Sequence, residues 1–181
     1  MVWGGASGAL GYMALGAMDG ELAYLLGSFN KNLLCTGGAV SIAGQPDLPP
    51  KDFAARIQTD ERCQIAWEAF MEGLVKSVAA ETAVVSVPRE ILISGRLCHV
   101  RAIRDEVTRR LSAFAPVRRV KGFGGVTKQA AQGAAVIAEG LAGGIYRKLI
   151  EVMELREASG TILDHLFVAG ADTLRKKFLK N

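Results

Sequence analysis

One corner of the sequence combines an apolar run, a glycine and a cation. Residues 91–97 read ILISGRL, so three apolar residues stop at a Ser-Gly pair and an arginine follows. Gly95 lets the backbone approach a flat purine or a ribose because no Cβ intrudes. Arg96 can stack on a base or pair with a phosphate. The alternative is an ordinary strand-to-helix turn with an exposed arginine. The nucleotide-binding candidates are Ser94, Gly95, Arg96 and Leu97.

Two other glycine clusters lie where backbone N–H groups can face an anion. Gly37 and Gly38, in the segment CTGGAVS, can line a phosphate, although a hairpin turn explains the same pattern. The segment GFGGVTK at 122–128 precedes a predicted helix whose first turn can meet a base or a phosphate, and Gly125 is its best-placed residue. Its spacing departs from the Walker A motif, in which Lys follows Gly directly.

Composition narrows the function classes. Half of the 181 residues are hydrophobic, 22% are charged and the net charge is +4, which is typical of a folded domain and a mildly cationic surface. No aromatic residues interleave the basic ones, which disfavours nucleic acid as a partner. The three cysteines lack metal-site spacing, and no basic start precedes an apolar run in residues 1–20, so we expect a cytoplasmic protein without a membrane span.

The elements that must hold the 94–97 corner can be read from hydrophobic periodicity. After residue 59 a long helix is expected, capped by Thr59, with one buried stripe. Residues 91–93 then form a strand, a second helix runs from Cys98 to about Phe114, residues 117–123 form a short strand, and a third helix follows Thr127 as its cap. The stripe of the first helix contains Cys63, Trp67, Phe70, Leu74 and Val78.

This order of strand, helix, strand and helix predicts an α/β layout with at least part of the sheet parallel. In such sheets ligands bind beyond the carboxyl ends of the strands, which is where Ser94 and Gly95 lie. Strands and turns are also expected in residues 1–20. Residues 31–41 are expected to be a short apolar run that ends in a turn, and residues 160–168 a strand or a packed apolar segment. Gly133 and Gly140, inside the third helix, predict close approach of another element or a ligand.

Three stretches in this order resemble the last part of the acetate and butyrate kinase branch of the actin-like ATPases: EILISGRL, FAPVRRVKGF and KQAAQGAAVIAEGLAGG. Upstream, GAMDGELA is similar to the ALDGEGP stretch of those enzymes. The resemblance covers most of 10–145 and is specifically to the archaeal family described as predicted butyrate kinases. That branch commonly has two glycines after Thr or Ser in its nucleotide-contacting turn, whereas Arg96 replaces the second glycine here.

The resemblance implies a ribonuclease-H-like (actin-like ATPase) α/β domain with a mixed central sheet flanked by helices. It implies one nucleotide-binding domain over 1–181, the C-terminal half of a two-domain carboxylate phosphotransferase. In that superfamily ATP lies between the domains, and in this branch a small carboxylate accepts its γ-phosphoryl group. The N-terminal domain would be a missing partner that brings the phosphate-binding hairpin, so this chain alone is expected to be inactive or very slow.

Under the same resemblance, the acids of GAMDGELA become candidates for catalysis. Phosphoryl transfer relies on Mg²⁺ and on stabilised charge, and an acid in a glycine-rich turn can hold that ion. Asp19 is therefore the candidate metal ligand, and Asp19 and Glu21 are the candidate catalytic residues. The alternative is a turn aspartate that bonds to its own backbone, followed by a first-turn glutamate.

Two other functions remain open at this stage. The first is a non-catalytic assembly module of the same fold, which forms a homodimer through the small-residue helix or through residues 145–180. The second is a kinase of the same fold that phosphorylates a sugar or another small molecule. Binding of ATP and Mg²⁺ to the 94–97 and 122–133 segments separates the kinases from the assembly module.

Overall fold

The computed structural model describes residues 8–28, 31–84, 88–165 and 167–178. The chain divides into two compact units, one ending at Lys121 and one beginning at Gly122. The expected single domain over 1–181 stays a prediction.

The first unit contains α1 (Gly20–Leu26), α2 (Lys31–Thr36), α3 (Ala39–Ile42), α4 (Pro50–Arg56), α5 (Glu61–Thr82), β1 (Ile91–Ile93), a 3₁₀ turn (Arg96–His99), α6 (Arg101–Leu111) and β2 (Val117–Arg119). The second contains α7 (Gln129–Leu141), α8 (Arg147–Val152), a 3₁₀ turn (Ile162–His165) and α9 (Ala171–Phe178).

The strands β1 and β2 pair in parallel, with Ile91 opposite Val117 and Ile93 opposite Arg119. Because α6 lies between them in the chain, the predicted order of strand, helix, strand and helix is confirmed, as is the parallel pairing. The expected central sheet is reduced to these two strands in the part of the chain that the structure describes. The protein is thus a helix-rich α/β protein with a small parallel sheet.

Two segments whose secondary structure the sequence left open contain helices or turns. Residues 31–41, expected as an apolar run that ends in a turn, form α2 and the start of α3 with Gly37 and Gly38 between them. In 160–168, where a strand or a packed apolar segment was expected, residues 162–165 form a 3₁₀ turn. Residues 8–19 contain turns and no strand, while residues 1–7 of the same predicted region lie outside the described ranges. The backbone of 8–19 bonds to the start of α3, since Ala39 N–H donates to Gly11 O at 3.0 Å.

The core of the first unit lies between α5 and its neighbours. Four of the five predicted stripe residues of α5 are buried, and Val78 is partly buried against them. The inner face of α6 is buried through Ile103, Val107 and Leu111. Helix α5 is capped by Asp60 rather than Thr59, because the Asp60 carboxylate accepts from Cys63 N–H at 3.1 Å. That backbone hydrogen bond lowers the pKa of Asp60.

In the second unit, α7 packs against α8 at a glycine. A Cβ at Gly140 would lie 2.7 Å from Tyr146 O and 2.6 Å from Ile150 Cγ1, so the predicted close approach is confirmed there. Gly133, by contrast, has no neighbour within 4 Å of a built Cβ. The N-cap of α7 is Lys128, not Thr127, and it forms no side-chain cap. No helix in the described ranges has both the length and the apolar character needed to cross a membrane.

Candidate functional site

The 94–97 corner lies directly after β1 and is open to solvent. Ser94, Gly95 and Arg96 are exposed, whereas Leu97 packs against the core. Gly95 has φ +98°, a conformation that residues with a Cβ adopt at a cost. Nothing lies within 4 Å of the position that a Cβ at Gly95 would occupy. The space on the Cβ side of Gly95 is therefore open, and the nucleotide role of these four residues stays a prediction.

Cys98 stabilises the backbone of this corner through two hydrogen bonds. The Cys98 thiol donates to Ser94 O at 3.3 Å, and Cys98 N–H donates to Gly95 O at 3.2 Å. Burial raises the pKa of the Cys98 thiol, and the positive charges of Arg119 and Arg104 oppose that change. The thiol is thus kept protonated, which is the form that donates to Ser94. The sequence indicates only that Cys98 is a reduced thiol, because a pattern of side chains does not show that the thiol will reach the backbone carbonyl of Ser94.

Two arginines, Arg96 and Arg119, follow or end the strands at this edge of the sheet. Arg119 ends β2 opposite Ile93, and its Nη2 lies 3.5 Å from His99 Nδ1. Arg118 points elsewhere and forms a bidentate pair with Glu90, at 2.8 and 2.9 Å. Alternation along the strand explains the difference, since neighbouring side chains leave a strand on opposite faces. Arg119 is a phosphate-binding candidate that the sequence pattern did not single out.

The pair Gly37 and Gly38 connects α2 to α3 rather than forming a hairpin turn. A Cβ at Gly38 would lie 2.4 Å from the carbonyl carbon of Met13, and one at Gly37 would lie 2.8 Å from Leu15 Cδ1. Gly38 N–H donates to Met13 O at 2.9 Å. Close approach of the 11–15 segment accounts for both glycines, and contact with a phosphate stays a prediction.

Gly125 lies in the second unit, in a loop organised by Gln132. The side chain of Gln132 is only 5% exposed overall and bonds to the loop backbone at Phe123, Gly124 and Thr127. Gly125 itself is exposed, with nothing within 4 Å of a built Cβ. Its nucleotide role stays a prediction, and the Gln132 contacts are a feature that periodicity did not reveal.

Asp19 is the N-cap of α1. Its Oδ1 accepts from Glu21 N–H at 2.9 Å and from Leu22 N–H at 3.1 Å, and Glu21 lies exposed in the first turn. Among the described residues, no three or more His, Cys, Asp or Glu side chains are grouped to hold a metal ion. One carboxylate fits Mg²⁺ only where nucleotide phosphates and waters complete the coordination. The catalytic and metal roles of these acids stay predictions.

The sequence and the structure were both compared with those of known proteins. The model of a family described as "Protein of unknown function (DUF1464)" matches residues 2–168. No curated protein matches the sequence. In structure the chain is similar to the acetate kinase of Porphyromonas gingivalis, with 17% identity and a TM-score of 0.49. The match covers 60% of this chain and 30% of that kinase, so this chain spans less than a third of its length.

Proposed function

We propose that this chain, which belongs to the DUF1464 family, is the ATP-binding portion of a kinase that transfers the γ-phosphoryl group of ATP to a small, butyrate-like carboxylate. The observation that carries the proposal is the open corner at Gly95. It lies at the carboxyl end of a parallel strand, has φ +98°, and has no atom within 4 Å of the position that a Cβ would occupy. A flat base or a ribose can therefore reach the main chain there.

The charges around the corner suit a nucleotide. Arg96 is exposed on the corner itself, and Arg119 ends the neighbouring strand beside His99. Guanidinium groups pair with phosphate oxygens and also stack on bases. In this proposal Arg96 binds the base or a phosphate, while Arg119 adds positive charge at the same edge of the sheet. ATP, when bound with Mg²⁺, supplies the phosphoryl group, and Asp19 is the candidate ligand of that ion.

The acceptor class follows from the resemblance of EILISGRL, FAPVRRVKGF and GAMDGELA to butyrate kinases. Arg96, in place of the second glycine of that turn, is the main departure from those enzymes. Because the phosphate-binding hairpin of the superfamily was not found in the sequence, we expect ATP binding with very slow or no turnover. In kinases of that branch the N-terminal domain supplies the remaining contacts.

Hydrogen exchange with and without ATP and Mg²⁺ tests this proposal. We expect protection of the amides of residues 94–97 and about tenfold weaker binding by Arg96→Gln, since a charged hydrogen bond is lost. Arg89→Gln is the matched control, because Arg89 is also exposed but lies before β1 rather than after it. Absence of protection at millimolar ATP would overturn the proposal.

The acceptor needs its own measurement. Because turnover by this chain is expected to be very slow, ADP release is measured over hours with the chain in excess over ATP and Mg²⁺, with butyrate or with glucose as the acceptor. Hydroxylamine trapping of acyl phosphate confirms transfer to butyrate. Faster ADP release with butyrate supports a carboxylate acceptor, whereas faster release with glucose favours a sugar kinase.

A second candidate function is a non-catalytic assembly module. The observation that favours it is the exposure of large apolar side chains in and around α8, where Ile145 is 84% exposed, Val152 73% and Met153 50%. Sedimentation velocity tests it. A dimer that persists without nucleotide, together with no ATP binding, favours assembly. A monomer that binds ATP favours the kinase.

A further inference from the structure

A buried glutamine fixes the loop between β2 and α7. Gln132 Oε1 accepts from Phe123 N–H at 2.7 Å and from Gly124 N–H at 3.0 Å. Its Nε2 donates to Gly124 O at 3.0 Å and to Thr127 O at 2.6 Å. A buried amide is costly unless its donors and acceptors are paired, and here both ends of the amide are paired with loop backbone.

These bonds turn the polar backbone of the loop inward and leave its side chains outside. Phe123 is 74% exposed, and Val126 is fully exposed. The glycines make the arrangement possible, since a Cβ at Gly122 would lie 2.6 Å from Gln132 Oε1. The result is an aromatic ring held out to solvent by a loop that four hydrogen bonds keep in one conformation. Such pre-organisation lowers the entropy lost when a ligand binds.

We propose that the loop formed by residues 122–127 is a purine-nucleotide contact of the second unit, separate from the one proposed at Gly95, in which Phe123 stacks on the base and Gln132 is a positioning residue. Stacking on an aromatic ring needs only the flat face of the base. Gly125 leaves bare backbone in the same loop, and the exposed Lys128 that follows it attracts phosphate. An aromatic ring, open backbone and a cation together match a nucleotide better than a purely apolar ligand.

Amide NMR titration with ATP and Mg²⁺ tests the contact. We expect the resonances of residues 123–127 to shift on titration, and Phe123→Ala to weaken the affinity reported by them about tenfold, as for one lost stacking contact. Phe167→Ala is the matched control, since Phe167 is also exposed, at 87%, and lies in the same unit but outside the loop. Equal effects of the two substitutions overturn the proposal.

Gln132→Leu tests the positioning role. Loss of the side-chain hydrogen bonds should speed hydrogen exchange at Phe123 and Gly124 and weaken ATP binding at the loop at least severalfold. Faster exchange with unchanged ATP affinity would show that Gln132 is only structural and would overturn its positioning role. If this variant does not fold, Phe123→Ala still decides whether the loop binds the nucleotide.

The same titration separates this inference from the proposed function. Shifts at 94–97 without shifts at 123–127 leave the kinase proposal standing and overturn the loop contact. Shifts at 123–127 without shifts at 94–97 support the loop contact and overturn the kinase proposal. No shift at either segment overturns both.

Discussion

The thiol of Cys98 donates a hydrogen bond to the carbonyl oxygen of Ser94, 3.3 Å away, across the turn that follows β1. This bond joins the last residue before Gly95 to the 3₁₀ turn behind it. Since Leu97 also packs on the core, the exposed corner is anchored on its inner side. Residues 94–98 thus combine an exposed outer surface with an anchored backbone.

Removal of that thiol should loosen the corner. We expect Cys98→Ala to lower the free energy of unfolding by about 1 kcal/mol, the net worth of one hydrogen bond, and to weaken ATP binding severalfold. Cys98→Ser retains a donor and should lose less. Urea unfolding and calorimetric titration measure the two effects. Cys35→Ala, at an exposed cysteine, is the control. The idea is wrong if Cys98→Ala and Cys35→Ala have equal effects on both quantities.

The backbone conformation of Gly95 predicts a stability difference between two exposed glycines. Both Gly95 and Gly125 have room for a Cβ, but only Gly95 has a positive φ. We therefore expect Gly95→Ala to cost about 1–3 kcal/mol, because φ +98° with ψ 175° is a backbone conformation that almost only glycine adopts, and Gly125→Ala to cost much less. Thermal unfolding without ligand compares them. Equal melting temperatures for the two variants would contradict the assigned strain.

Two glycines of α7 should respond in opposite directions to the same substitution. Gly133→Ala should stabilise the protein by about 1 kcal/mol, because alanine favours the helix and nothing obstructs its Cβ. Gly140→Ala should destabilise it by about 1–3 kcal/mol, the usual cost of overpacking, since Tyr146 and Ile150 occupy the space. Chemical denaturation measures both variants, and a stabilising Gly140→Ala would contradict the described packing of α7 on α8.

A charged cluster on α5 and α6 predicts how stability depends on acid. Hydrogen bonds from Arg109 and then Arg110 lower the pKa of Glu106 to about 2, against the effect of burial. Arg110 also pairs with Glu68 at 2.7 Å. A lowered folded-state pKa means that the stabilisation is complete above the ordinary value of 4.5 and is lost as the pH falls from there towards 2.

Glu106→Gln should remove that acid-dependent stabilisation, on the order of 2 kcal/mol at neutral pH after allowance for solvent screening. Unfolding curves measured between pH 6 and about pH 2.5 should therefore converge for the variant and the parent protein. Glu72→Gln is the control, because Glu72 pairs with Lys76 at an exposed site where 60% of its side chain is accessible. Parallel curves for Glu106→Gln and the parent would refute the assignment.

Periodicity predicted the elements whose apolar residues face one core. The stripe of α5 and the strand at 91–93 were found where expected, because burial of a regular apolar face determines the structure of those segments. The helices in 31–42 were missed, since short helices depend on tertiary contacts such as the hydrogen bond from Ala39 to Gly11.

The contacts of the candidate sites were harder to foresee than the elements. Gln132 and Cys98 act on backbone atoms, and a pattern of side chains does not show which carbonyl or amide a polar group will reach. The N-cap of α5 is Asp60, one residue after the predicted Thr59. Both residue types are favourable N-caps, so the sequence does not show which of the two accepts from the backbone.

The small parallel sheet has a consequence for association. In the part of the chain that the structure describes, each of its two strands has a neighbour on one side only. A strand edge without a neighbour is a template for main-chain hydrogen bonds from an extended segment. An extended segment could thus add to the outer edge of β1 or of β2. Main-chain hydrogen bonds would provide most of its affinity, and its side chains would matter less.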